Sequence, residues 1–135
     1  MGIIFDTSIL IGLERTSSSL EKFIKGREGE PFGVSVISAP ELLHAVHRAD
    51  SEARREQREA YVEKILGIFP VFPFDLSASR VYARLWAQFI KKGVVVGTHD
   101  LMVASTCLAL GFSVLTAEIR DYRKIEGLRI EEFPS

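Results

Sequence analysis

Four acidic side chains stand where the sequence passes from one structural element to the next: Asp6, Glu41, Asp100 and Asp121. Asp6 closes the short apolar run Ile3-Ile4-Phe5, and Glu41 falls in the first turn after a second such run. Asp100 lies in the first turn of a later helix, and Asp121 follows the strand end Leu115-Thr116 within a few residues. In an open parallel sheet the carboxyl ends of the strands share one edge, and ligands collect there. Four carboxylates gathered at that edge would repel and raise one another's pKa. A hard divalent cation such as Mg²⁺ or Mn²⁺, which prefers oxygen ligands, relieves the conflict. Asp6, Glu41, Asp100 and Asp121 are therefore the candidate metal-binding acids.

Each acid also has an ordinary use. Asp6 fits an N-cap for a helix starting at Thr7 or Ser8. Ser38-Ala39-Pro40-Glu41 fits a capping box, with Glu41 reaching back to the helix start. Thr98 fits a cap with Asp100 as a complement to the helix dipole. Asp121 fits a surface acid paired with Arg120 or Lys124. What favours a site is that all four fall on one side of one inferred sheet.

The remaining reactive residues offer less. Glu41-x-x-His44 has the spacing of a di-iron helix motif, but that chemistry needs two copies on a bundle, and there is one. His47 reads as a solvent or rim residue. His99, next to Asp100, reads as a turn residue that could also approach a phosphate. Cys107 lies mid-helix beside Val103 and Leu108 and reads as packing. A G-x-S-x-G elbow, a P-loop and a G-x-G-x-x-G fingerprint are all absent.

The elements that must position these residues follow from composition and periodicity. The 135 residues are 47% apolar and 26% charged, with one cysteine and a net charge of −1. That suits a single globular domain, 1–135, with no internal disulfide and no overall basic field for nucleic acid. No apolar run approaches the roughly 20 residues that span a bilayer, and nothing resembling a signal peptide precedes Ile3, so a cytoplasmic protein is expected.

Ile3–Phe5 reads as a strand covered on both faces. Short helices follow at Ile9–Leu13 and Ser17–Lys25, then a strand over Phe32–Ile37 and a helix opening at Ser38. Asp50–Lys64 interleaves Glu and Arg and suits a solvated arm of a helical hairpin. Phe69–Phe74, broken by prolines, suits an edge strand. A helix capped by Asp75 or Ser77 runs to Lys92, with Val81, Leu85, Trp86, Phe89 and Ile90 toward the core. A helix over Leu101–Leu110, a strand over Phe112–Thr116, a short helix over Glu118–Lys124 and a last strand at Leu128–Ile130 complete the chain. Strands alternating with helices predict an α/β fold with a largely parallel sheet.

Phe5-Asp6-Thr7-Ser8, Ile37-Ser38-Ala39-Pro40-Glu41-Leu42, Gly97-Thr98-His99-Asp100-Leu101-Met102-Val103-Ala104 and Leu115-Thr116 leading to Arg120-Asp121-Tyr122 and Ile125-Glu126-Gly127-Leu128 occur in that order. Together they resemble the PIN domain, specifically the toxin ribonucleases of VapBC toxin–antitoxin pairs, over essentially the whole length. The resemblance implies a PIN-like fold and metal-binding acids at Asp6, Glu41, Asp100 and Asp121, with hydroxyls of Thr7 or Ser8 and Thr116 near the pocket. It also implies Mg²⁺- or Mn²⁺-dependent hydrolysis of RNA, a small antitoxin whose C-terminal segment occludes the pocket, and a homodimer. One departure stands out: Ala117-Glu118 follows Thr116 where such domains often carry Asn, which makes Glu118 a competitor of Asp121. Two other classes fit an acidic α/β pocket. One is a catalytically inactive PIN-like module that binds RNA or protein. The other is a phosphoacceptor of the receiver type, which wants a Lys at the late strand end, where this chain has Leu115-Thr116-Ala117.

Overall fold

The computed structural model describes residues 2–14 and 25–133, and the helix expected over Ser17–Lys25 falls almost wholly outside them. Within them the order is β1 (Ile3–Phe5), α1 (Thr7–Leu13), β2 (Phe32–Ser35), α2 (Ser38–His47), α3 (Glu52–Ile68), β3 (Val71–Phe72), α4 (Leu76–Lys92), α5 (Thr98–Leu110), β4 (Ser113–Thr116), a 3-10 turn (Tyr122–Lys124) and β5 (Ile130–Glu132). The strands form one sheet in the order β3-β2-β1-β4-β5, and every pairing is parallel. This is the α/β architecture expected, a parallel sheet flanked by helices. The chain moves outward from β1 to β2 to β3, then crosses back to β4 and on to β5. The direction of winding therefore reverses between β1 and β4, the junction at which open α/β sheets leave a crevice beyond their strand ends.

Why β1 reads as an unbroken apolar run is visible in its packing. Ile3 and Phe5 enter one core layer with Leu10 of α1, Leu42 of α2 and Val62 of α3. Ile4 enters the opposite layer with Leu85 and Phe89 of α4 and Ala104 and Cys107 of α5. Both faces are covered, so alternation with polar residues is not available to this strand. In register, Phe5 lies opposite Val34 on β2 and Leu115 on β4. The next residues, Asp6, Ser35 and Thr116, thus come to one edge.

Local signals fix most of the helix ends. The Ser51 side chain accepts from the Arg54 amide to start α3, and Asp75 accepts from the Ala78 amide to start α4. Gly93 and Gly111 adopt φ of 66° and 72° to end α4 and α5, a conformation that costs glycine little. The charged helix α3 pairs Arg55 with Glu52 and Glu59 in solvent, while Arg58 donates to the Ala45 carbonyl of α2 at 3.0 Å. The two form the expected hairpin. β3 is the edge strand that the proline spacing predicts.

Several boundaries differ from the sequence expectation. The second strand stops at Ser35, and the last lies at Ile130–Glu132. The fifth helix begins at Thr98 rather than Leu101, and Glu118–Lys124 contains only a single 3-10 turn, Tyr122–Lys124. Trp86 and Ile90, placed in the core by periodicity, are 53% and 67% exposed. The buried row of α4 is Ala78, Leu85 and Phe89, and Trp86 and Ile90 lie one residue, about 100° of rotation, beyond it. No helix among the described residues is long and apolar enough to cross a membrane.

Gly33 in β2 is a close-approach site. A Cβ there would stand 2.3 Å from the Phe72 ring and 2.8 Å from the Pro70 carbonyl oxygen. Gly33→Ala is expected to push β3 off the sheet and destabilise the fold by about 1–3 kcal/mol. Urea denaturation measures this, and an unchanged midpoint would contradict the packing described.

Candidate functional site

Asp6 is the first residue past β1 and the last before α1, and its side chain does not cap that helix. It is only 6% exposed and is engaged elsewhere. Tyr122 donates its phenolic hydrogen to Oδ1 at 2.7 Å. Ser8 and Thr116 donate to Oδ2 at 2.7 and 3.0 Å. The capping role for Asp6 is thereby excluded, and the hydroxyls of Ser8 and Thr116 are near the pocket as the motif comparison implies. Thr116 also accepts from the Glu118 amide at 2.9 Å, which fixes the start of the loop after β4.

Glu41 lies across the cleft in the first turn of α2. The capping box is not formed: Ile37 occupies the N-cap position, and Ser38 is already helical with no side-chain cap bond. Instead the Thr7 hydroxyl is linked to Ser38 Oγ at 2.8 Å and donates to Glu41 Oε1 at 3.0 Å. Glu41 Oε2 stands 3.4 Å from His99 Nδ1. His99 is thus in the first turn of α5 at the cleft rather than in a free turn, while His44 and His47 are exposed on α2. Cys107 is fully buried, as packing requires, and that burial pushes its thiol pKa up.

Asp100 occupies the same turn of α5 as His99. Thr98 does not cap; Gly97 holds the N-cap position. The Asp100 carboxyl is pushed up to about 6, first by burial and then by the charges of Asp6, Asp121 and Glu41. These three acids are those the sequence grouped with it. Asp121 accepts the Gly97 amide at 3.0 Å and lies 3.3 Å from Lys124 Nζ. That amide, with Lys124 and Arg120, holds its carboxyl below the usual range against a smaller opposing effect of burial. Asp121 therefore does have the pairing expected of a surface acid, but it also ties the 3-10 turn to the start of α5.

The space between these groups is a cleft of about 200 Å³ bordered by Asp6, Glu41, His99, Asp100 and Glu118. Asp100 and Glu118 also border an adjoining pocket of about 490 Å³ that reaches Arg120 and Asp121. All four predicted acids are brought to this region. Glu118 borders both spaces, yet it is Asp121 whose charge acts on Asp100. No three Asp, Glu, His or Cys side chains among the described residues are already drawn into a closed cage for an ion. The donor set nevertheless has the chemistry of a hard-cation site: carboxylate oxygens, mutually repelling, at least one of them costly to ionise.

Tyr122, present in the Arg120-Asp121-Tyr122 motif but given no role by the sequence, is also brought to the site. It is fully buried and sits beneath the cleft with its hydroxyl on Asp6. Desolvation, then the charges of Asp6 and Asp100, pushes its pKa far up, so it remains a donor. The motif places Tyr122 next to Asp121, but a 3-10 turn without amphipathic period carries no signal of a bond to Asp6.

Residues 3–128 match the family model described as PIN domain, and the chain belongs to that family. Among its relatives is Ribonuclease VapC1 of Rickettsia felis, 35% identical over 130 residues, covering 96% of this chain and 95% of that protein. Ribonuclease VapC of Rickettsia bellii is 30% identical over 134 residues, covering 99% and 98%. In three dimensions the chain superposes on the crystal structure of VapBC2 from Rickettsia felis bound to a DNA fragment from their promoter. The TM-score is 0.89 over 99% of this chain and all of that one, and at 20% identity this is a likeness of fold. The receiver-type alternative is displaced by the family match.

The raised Asp100 pKa has a consequence for stability. Below about pH 4 the group is protonated whether the chain is folded or not. Between pH 4 and 6 the folded state retains a proton that the unfolded state releases, so stability falls as pH rises, and above 6 the loss is complete. Solvent access to this half-buried group keeps the loss to about 1 kcal/mol. Without divalent ions, Asp100→Asn is expected to raise Tm at pH 7.5 by roughly 2–5 °C, with the gain vanishing toward pH 4. Equal melting at both pH values would contradict the electrostatic account.

Proposed function

We propose that this chain is a divalent-metal-dependent endoribonuclease, the toxin of a toxin–antitoxin pair, with Asp6, Glu41, Asp100 and Asp121 as its metal-binding acids. The observation that carries the reading is the convergence of these carboxylates at the β1/β4 switch point, with three of them raising the pKa of the fourth. The names of the relatives, Ribonuclease VapC1 and Ribonuclease VapC, support the activity. Solved neighbours described as VapBC complexes support a small antitoxin partner. A homodimer is part of the same proposal, as is a single domain over 1–135.

The residues divide the work as follows. Asp6 and Asp100 would hold Mg²⁺ or Mn²⁺ directly, and Asp121 would complete the set in preference to Glu118, because Asp121 acts on Asp100. Glu41, fixed by Thr7 and beside His99, either joins them or orients the attacking water. When bound, the cation supplies charge to polarise the scissile phosphate and to lower the pKa of water near neutral pH. Thr7, Ser8 and Thr116 keep the carboxylates aimed into the cleft, which conserves their geometry for a reaction that depends on placement.

The test is cleavage of a small-RNA pool by purified protein free of antitoxin, with Mg²⁺, with Mn²⁺ and with excess chelator. Cuts that need the metal, and that fall at least 100-fold in Asp6→Asn while the fold persists by circular dichroism, are expected. Full activity in Asp6→Asn would remove Asp6 from the mechanism. No cuts with any metal would favour a binding module that has lost catalysis.

A further inference from the structure

The number of hydrogen bonds on Asp6 is unequal between its two oxygens. A carboxylate offers about four acceptor positions, two per oxygen. Oδ2 accepts from Ser8 at 2.7 Å and from Thr116 at 3.0 Å, which uses both of its positions. Among the described residues, Oδ1 accepts only from Tyr122, at 2.7 Å. One acceptor position therefore remains on Asp6, and the Tyr122 hydroxyl decides where it points.

We propose that Tyr122 is a positioning residue that restricts Asp6 to a single free acceptor position on Oδ1 and thereby sets both the affinity and the ion preference of the acidic cleft. The proposal rests on the reading of that cleft as a divalent-cation site. The phenol is suited to this task because it is completely buried, in the core layer that also contains Leu101, Ala104 and Ile125. Its ring is fixed by packing, so its hydroxyl is fixed as well. Its single hydrogen goes to Asp6 Oδ1, so the group beneath that carboxylate is a neutral donor.

The ion preference follows from coordination chemistry. Mg²⁺ takes a near-ideal octahedral shell and is held by one or two carboxylates with water. Ca²⁺ takes six to eight oxygens and readily uses both oxygens of one carboxylate. A carboxylate with Oδ2 filled and Oδ1 half filled offers only one oxygen, which favours the smaller ion. Removing the phenolic hydroxyl opens a second position on Oδ1 and lets the carboxylate turn.

Tyr122→Phe keeps the ring and removes only the hydroxyl. Mn²⁺ binding to wild type and variant is measured at equilibrium by electron paramagnetic resonance, with Mg²⁺ and Ca²⁺ as competitors and no RNA present. Circular dichroism and melting in chelator report the fold separately. The expected result is a folded variant with Mn²⁺ affinity reduced about 10-fold or more, the range found when outer-shell partners of metal ligands are removed. The preference for Mg²⁺ over Ca²⁺ in competition should shrink with it. A variant that melts lower yet binds and discriminates like wild type would reduce Tyr122 to a packing residue and overturn the proposal. Wild-type protein that binds no Mn²⁺ would overturn the cation-site reading itself, and this assignment with it. Should Tyr122→Phe fail to fold, the same titration on Thr116→Val and Ser8→Ala, which free Oδ2 instead, tests the same counting argument. Unchanged competition in both would overturn it.

Discussion

A carboxylate buried at the end of a central strand must be given donors, and much of this structure is arranged to supply them to Asp6. Among the described residues its donors are Ser8, two residues on in α1, and, from the far end of the chain, Thr116 at the end of β4 and Tyr122 in the 3-10 turn. An unsatisfied buried charge costs several kcal/mol, so these contacts constrain the register of β4 against β1 as well as the loop that follows. Satisfying Asp6 does not satisfy the cleft. Asp100 stands close enough to Asp6, Asp121 and Glu41 for their charges to oppose its ionisation. The fold holds these acids near one another against their repulsion, an expense that a cation can offset and that no packing requirement explains.

The sheet explains why this happens here. With order β3-β2-β1-β4-β5, β1 is the strand from which the chain winds in both directions. Its two neighbours diverge in their onward connections, and the crevice between those connections opens beyond Phe5 and Leu115. α1, α2 and α5 each bring a first turn to that crevice, carrying Thr7, Glu41 and Asp100. Helix starts point free amides and the positive end of the helix dipole toward the cleft, which suits anionic groups. The Asp121 bond to the Gly97 amide shows the same physics, and it means that one acid of the cleft also anchors the helix that presents another.

Much of this was legible in the sequence because the signals are local or periodic. The unbroken Ile3-Ile4-Phe5 run gave away a strand buried on both faces, the prolines around Val71 an edge strand, and Asp75 and Gly93 the limits of α4. The candidate acids stand out by position, Asp6 and Asp121 after strand ends and Glu41 and Asp100 in first turns of helices. Less visible were features that depend on three-dimensional partners. Ser38 and Glu41 spell a capping box, but the Thr7 hydroxyl arrives from another element and takes both. Trp86 and Ile90 lie at the border of the α4 stripe, where one residue of rotation separates core from solvent. Tyr122 belongs to the Arg120-Asp121-Tyr122 motif, but its contact is a hydrogen bond to a residue 116 positions away, which no local period reports.

The central claim is that these carboxylates are arranged for a divalent cation, and the most direct measurement is the anomalous difference map of a crystal soaked in Mn²⁺ at neutral pH. The account predicts a peak in the cleft at bonding distance from Asp6 Oδ1 and Asp100, with Glu41 and Asp121 in contact directly or through water. An empty cleft at saturating Mn²⁺, or a peak that leaves Asp6 and Asp100 untouched, would contradict it.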